Sequence, residues 1–229
     1  MKEVNSIFDV IGPIMIGPSS SHTAGAARLG RIARYAAQKD IEKVVVYLHG
    51  SFAETGEGHG TKKAIAAGLL GMEPYDDRLK NSLEIMKEKN IHIEFGKKNL
   101  KTVHPNTTMI SIETSKGEIV KVRGSSIGGG AVIVTNINGF EVEITGEYYT
   151  IITKHIDAKG VIRDVANILA EESVNIANMK VIRSHSKKEA SMIIETDETV
   201  EIQVIDKIKK MEKMLDLIYI LPIKEDENV

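Results

Sequence analysis

No cysteine occurs among the 229 residues. That excludes disulfides, a thiol nucleophile and any thiolate-ligated metal cluster held by this chain. Charge of either sign is not in excess, with a formal net charge of -2, so nothing electrostatic recommends nucleic acid or an anionic membrane as a partner. No apolar run approaches the roughly 18 residues of a spanning helix, and the opening "MKEVNSIFDV" lacks a signal-peptide pattern. These absences together point to a cytoplasmic protein. A phosphate loop and a dinucleotide fingerprint are also missing: glycine-rich "SSIGGG" has neither the lysine nor the helix that a phosphate loop needs. Nor do His22, His59 and His104 have the spacing of a zinc site, and no acidic pair nearby completes one.

What is present is the balance of a globular protein with a real core: 42% hydrophobic and 27% charged residues. The length suits two domains, and a change of pattern near residue 147 marks the seam, giving 1–147 and 148–229. In the first part, "AGAARLGRIARYAAQ" repeats small and apolar residues at helical spacing, with Ala26, Leu29, Ala33 and Ala37 on one face. Small residues there predict close packing against another element. "EKVVVYLHGSF" reads as a buried strand, followed by a glycine-rich turn and a helix over 61–70. "DDRLKNSLEIMKEK" reads as a further helix with Leu79, Leu83 and Met86 on one side. From 92 to 144 the chain becomes a run of short strands, several separated by hairpin signals such as Asn138-Gly139. The three glycines of "SSIGGGAV" interrupt that run, as a bulge or tight bend or as a close approach of backbone to a ligand or partner.

Beyond Glu147 the order is β-α-β-β-α-β within about 75 residues, which is the ferredoxin-like arrangement of two helices on one face of an antiparallel four-stranded sheet. The fold class is therefore α+β in both parts, and the tail "KEDENV" is polar.

Three stretches can carry chemistry. "GPSSSHTAG" puts Ser20, Ser21 and Thr23 where one of them can cap the following helix. The remaining hydroxyls and free amides, at the positive end of the helix dipole, suit a carboxylate or phosphate, and His22 adds a group that donates or moves a proton near neutral pH. "ETGEGHGTKK" flanks His59 with glycines just before a helix, which unshields an imidazole and suits a general base, or simply makes a flexible loop. In "VHPNTT", Pro105 pushes His104 toward an extended conformation and Asn106 can bond its own turn, as at any strand entry. In the second part, "HIDAKGVIRDVANIL" places Asp157 and Gly160 between a strand and a helix N-terminus, either as an amino-acid carboxylate site or as a tight turn with Asp157 capping the helix.

The ordered set "IGPSSSHTAGAARLG", "YLHGSFAETGEGHGTKKAI", "HPNTTMI" and "SSIGGGAV" resembles the beta chain of the two-chain, iron-sulfur-dependent bacterial L-serine dehydratases over about residues 3–146, and 148–222 resemble an ACT domain. The resemblance implies deamination of L-serine to pyruvate and ammonia by loss of the α-proton and β-hydroxyl. It further implies a [4Fe-4S] cluster acting as Lewis acid. With no cysteine here, the cluster is expected on a separate alpha chain, this chain supplying part of the active-site wall and its regulation. On that basis Ser19, Ser20, Ser21, His22 and Thr23 form the substrate-binding edge, His59 is the proton-abstracting base, and His104 with Asn106 are its neighbours. Asp157 and Gly160 mark a regulatory ligand site, and the ACT domain is expected to build a homodimer. The N-terminal domain also resembles the substrate-binding domain of some phosphoglycerate dehydrogenases, so the alternative is a non-catalytic module that senses serine as an effector. A pyridoxal-dependent dehydratase is disfavoured, because no lysine sits in a cofactor-binding context.

Overall fold

A computed structural model describes residues 13–184 and 188–223, so the N-terminal stretch read for a signal peptide and the polar tail lie outside the described residues. The chain divides into two compact units, 1–145 with 225–229 and 146–224.

The first helical element among the described residues is a π-helical turn, Ser20–Gly25, that runs directly into α1 (Ala26–Ala37). Strand β1 (Ile41–Leu48) follows, then the single-turn α2 (Ser51–Glu54) and α3 (Thr61–Leu69). The predicted helix near residue 80 is broken in two: a 3-10 turn, Asp77–Asn81, capped by the Asp76 carboxylate, and α4 (Ser82–Glu88). Asn81 leaves helical geometry at φ -111° and ψ 13°, and the Ser82 hydroxyl then donates to Lys63 O at 2.7 Å, pinning α4 to α3.

Strands β2 (His92–Lys97), β3 (Thr107–Thr114), β4 (Ile119–Gly128), β5 (Ala131–Ile137) and β6 (Phe140–Ile144) join β1 in a six-stranded sheet of order β2-β1-β3-β4-β5-β6. β3 to β6 are antiparallel neighbours, as the hairpin signals require. Asn138 and Gly139 both take positive φ, 53° and 86°, the conformation of a type I′ turn. β2 departs from the strand run read in the sequence: it pairs parallel to β1, Val44 opposite Ile93 and Val46 opposite Phe95. A parallel partner needs a long crossover, and the helices between β1 and β2 supply it.

One face of the sheet is apolar. Val44 and Val46 of β1 lie opposite Ile112 and Ile110, which in turn face Val120 and Val122, and all six are buried. α1 packs over β4, with Leu29 so close to Gly124 that a Cβ there would sit 2.6 Å from Leu29 Cδ2. The small residues of α1 do what their pattern predicts. At Gly30 a Cβ would lie 2.4 Å from Ile65 O, and at Gly68 of α3 one would lie 1.9 Å from Ala27 O. The two helices therefore touch backbone to backbone.

The second unit holds β7 (Tyr149–Ile156), α5 (Val161–Glu171), β8 (Ile176–Arg183), β9 (Glu189–Thr196), α6 (Ile202–Lys209) and β10 (Met214–Ile220). Its sheet order is β10-β7-β9-β8, antiparallel throughout, which is the ferredoxin-like topology. Val165 and Leu169 of α5 and Val204, Ile205 and Ile208 of α6 close over Ile151, Met192, Ile194 and Leu217. None of the helices among the described residues is long and apolar enough to cross a membrane.

Candidate functional site

Ser19 is extended, at φ -145° and ψ 122°, and its hydroxyl accepts from His22 N at 3.1 Å. It is therefore Ser19 that caps the helix, and not Ser20, Ser21 or Thr23, which already lie inside the π turn. A cap must precede the helical dihedrals while its side chain folds back onto the first free amides. The Ser20 and Ser21 hydroxyls are half-buried and have no hydrogen-bond partner among the described residues. Thr23 is buried, and its hydroxyl donates to His59 O at 3.1 Å. Gly25 closes the turn where Ser126 leaves no room, since a Cβ would meet Ser126 Oγ at 2.1 Å. A π turn widens a helix by one residue and recurs at functional sites.

The loop after β1 meets that turn. Gly50, at φ 52°, lies against Pro105 with only 2.7 Å between its would-be Cβ and Pro105 O. This contact sets the direction of α2, whose Ser51 hydroxyl lies 3.0 Å from His22 Nε2. Thr55 Oγ1 lies 3.1 Å from the same nitrogen. Phe52, buried beneath, presents its ring edge-on to His22 at 5.2 Å. The His22 and His59 rings lie 4.9 Å apart, tilted by 37°.

His59 Nδ1 is 3.0 Å from Thr55 O. A carbonyl oxygen only accepts, so Nδ1 carries the proton and Nε2 of the neutral ring keeps its lone pair. Between Gly58 and Gly60, half-buried, that nitrogen has no hydrogen-bond partner among the described residues. His22 is held differently. Its pKa is lowered from the ordinary 6.5, first by burial, then by the adjoining His59, with a hydrogen bond donated to the Ser51 main chain opposing. His22 is thus kept neutral beside a ring that becomes cationic when it accepts a proton.

This depression carries a sign. His22 binds its proton more weakly folded than unfolded, so between the lowered pKa and 6.5 the unfolded chain holds more protons and stability rises with pH. Above that window the contribution is flat. His155 of the second unit, buried and also lowered, chiefly by burial, adds a slope of the same sign. Urea midpoints followed by circular dichroism from pH 5 to 8 are expected to climb in the wild type and to climb less steeply in His22→Gln.

The structure brings Ser19, His22, Thr23 and His59 together with Ser51 and Thr55. Sequence reading did not single out those last two; their only signal is the i to i+4 spacing of two hydroxyl residues around a glycine-bounded turn. His104 is exposed on the adjoining segment, its Nδ1 accepting from Asn106 N at 3.1 Å. No hydrogen bond or ring contact joins it to the His22–His59 pair among the described residues. Asn106 is tied to β4 through its carbonyl, which accepts from Ser126 N at 3.0 Å, while its own Oδ1 is buried without a partner. The three glycines of 128–130 all take positive φ in the β4–β5 turn, and Arg28 donates to Gly130 O at 2.8 Å.

In the second unit the helix-cap position is Gly160, at φ 93°, with no side-chain bond. Asp157 is not that cap; three residues earlier, it accepts from Arg183 Nε at 3.0 Å. Any carboxylate ligand there meets an acidic group already matched by Arg183. Among the described residues no cluster of three or more His, Asp or Glu could hold a metal ion, and with no thiolate in the sequence this chain's residues do not fit an iron-sulfur cluster.

A two-histidine loop site on a mixed sheet, followed by a ferredoxin-like unit, defines a two-domain chain whose parts both have known families. The serine dehydratase beta chain family matches residues 6–137 and the ACT domain family residues 148–213; the chain belongs to the serine dehydratase beta chain family and carries an ACT domain. It is 44% identical over 212 residues to a probable L-serine dehydratase beta chain of Bacillus subtilis, covering 93% of this chain and 96% of that one. To the L-serine dehydratase beta chain of Peptoniphilus asaccharolyticus it is 38% identical over 94% of this chain and 97% of the other. It is also 29% identical, over 84% of its length, to a D-3-phosphoglycerate dehydrogenase of Methanocaldococcus jannaschii, of which it spans 36%.

Proposed function

We propose that this chain is the beta subunit of an L-serine dehydratase, converting L-serine to pyruvate and ammonia in an active site shared with a cluster-bearing alpha chain. The observation that carries the reading is the His59 ring, whose Nε2 is left bare by the Nδ1 bond to Thr55 O, in a chain matching dehydratase beta chains over nearly its whole length. His59 Nε2 removes the α-proton of serine. The Ser20 and Ser21 hydroxyls, with the amides at the start of the π turn, bind the carboxylate, and the dipole of the continuous helix favours that charge. Buried Thr23 anchors the His59 main chain, and neutral His22 walls the base without adding charge. A [4Fe-4S] cluster, which thiolates of an alpha chain would hold, would supply Lewis acidity toward the β-hydroxyl. The ACT unit is assigned to regulation, with Asp157 and Gly160 at its ligand site, and edge strand β8, largely exposed, offers its outer edge to a second copy.

The test is co-expression with the genomic neighbour, purification without oxygen, and pyruvate formation from L-serine measured against either chain alone. Activity only in the mixture is expected, with this chain alone colourless. A mixture that holds its cluster, makes no pyruvate and leaves this chain dimerising in response to serine overturns the catalytic reading in favour of a sensing module, the role consistent with the partial match to a phosphoglycerate dehydrogenase.

A further inference from the structure

Thr55 touches both imidazoles, and through different atoms. Its carbonyl oxygen accepts a hydrogen bond from His59 Nδ1 at 3.0 Å. Its hydroxyl donates to Ser51 O at 2.9 Å, so its single proton is committed and its lone pairs can only accept. Two groups reach them, His22 Nε2 at 3.1 Å and Ser51 Oγ at 3.2 Å. Ser51 Oγ is itself 3.0 Å from His22 Nε2. Every proton in this ring of contacts finds an acceptor when His22 carries Nε2–H: the imidazole donates into the hydroxyl pair, Ser51 donates to Thr55, and Thr55 donates to Ser51 O. The other face agrees. Ser19 Oγ accepts from His22 N at 3.1 Å, which leaves its proton for His22 Nδ1 at 3.4 Å.

We propose that Thr55 is the positioning residue of the site, assigning opposite tautomers to its two histidines: Nδ1–H to His59 through its carbonyl, Nε2–H to His22 through its hydroxyl, with Ser51 as second acceptor. His59 is thereby left with a bare Nε2, while both nitrogens of His22 are occupied. His22 is kept from competing for the proton that His59 takes. The backbone holds Thr55 in place for this: its amide donates to Ser51 O at 2.9 Å, and Gly56 follows so tightly that a Cβ there would lie 2.2 Å from Phe52 O.

The two routes through Thr55 separate experimentally, because Thr55→Val deletes the hydroxyl and keeps the carbonyl. Nitrogen-15 imidazole spectra of the full-length chain, with rings assigned by His22→Gln and His59→Gln, are expected to show His22 as Nε2–H and His59 as Nδ1–H. Thr55→Val is expected to shift the His22 nitrogens toward a tautomer mixture while leaving those of His59 in place, and Thr55→Ser to restore the wild-type pattern. A wild-type His59 protonated at Nε2, or a His22 spectrum indifferent to Thr55→Val, overturns the proposal. The kinetic arm rests on the dehydratase reading: in the assembled enzyme kcat is expected to fall about tenfold in Thr55→Val with KM unchanged, and to recover in Thr55→Ser. Equal kcat in wild type and Thr55→Val removes the positioning role. An inactive wild-type assembly would instead count against the dehydratase reading, and the spectra, which need only this chain, would still decide the tautomers.

Discussion

Replacing His59 by alanine is expected to lower the turnover of the assembled dehydratase about a thousand-fold, within the range that a positioned general base contributes. The size follows from the geometry. His59 is the histidine whose outward nitrogen is bare, its inward nitrogen being spent on Thr55 O; His22 has partners at both nitrogens, and His104 stands apart. The loss should appear in kcat, with KM close to wild type, because the Ser20 and Ser21 hydroxyls proposed to bind the carboxylate are untouched. The fold should not pay for it. The Thr23 bond to this position is made to the main-chain oxygen, which alanine retains, and His59 is only half-buried. The check is steady-state pyruvate formation beside thermal melting of the same preparation. Turnover within a few-fold of wild type would transfer the role of base to another residue.

The second large effect falls far from the chemistry. Gly68→Ala is expected to destabilise the first unit by about 3 kcal/mol, at the upper end of ordinary overpacking. Its new Cβ would lie 1.9 Å from Ala27 O and 2.8 Å from Arg31 N, main-chain atoms of α1 that no rotamer change can move aside. α1 and α3 must separate, and α1 carries the π turn with Ser19 and His22 at its head. Activity should therefore fall along with the denaturation midpoint. Gly58→Ala is the matched control for stability, since its Cβ would meet nothing nearer than Thr55 O at 3.8 Å. Equal midpoints for Gly68→Ala and wild type would contradict the packing described here.

Much of this architecture was legible in the residues because the signals were local. Alternation in "EASMIIETD" marks β9, Asn138-Gly139 marks a turn, and small residues along 26–37 announce a helix in close contact. β2 is legible as a strand but its pairing is not, because its partner, β1, lies across the whole helical crossover, and an apolar run does not carry the direction of its neighbour. The cap was assigned to the wrong serines for a subtler reason. Three adjacent serines and a threonine two positions on offer equivalent caps in sequence, and only the backbone angles of Ser19 single it out. At the site, His22 and His59 were recognisable from their glycine-rich surroundings. Ser51 and Thr55 were not, because their value comes from meeting an imidazole some thirty positions earlier, a contact set by Gly50 folding against Pro105.

The Thr23 hydroxyl, buried and donating to the main chain of the histidine loop, makes the loop and the head of α1 one mechanical part. Lifting residues 55–60 away from the helix strands a hydroxyl in the interior, at a cost of roughly 1–3 kcal/mol. An opened loop is therefore a minor population, held closed by its bond to the helix head. Motion of the histidine loop is thereby coupled to motion of the helix head that carries Ser19 and His22.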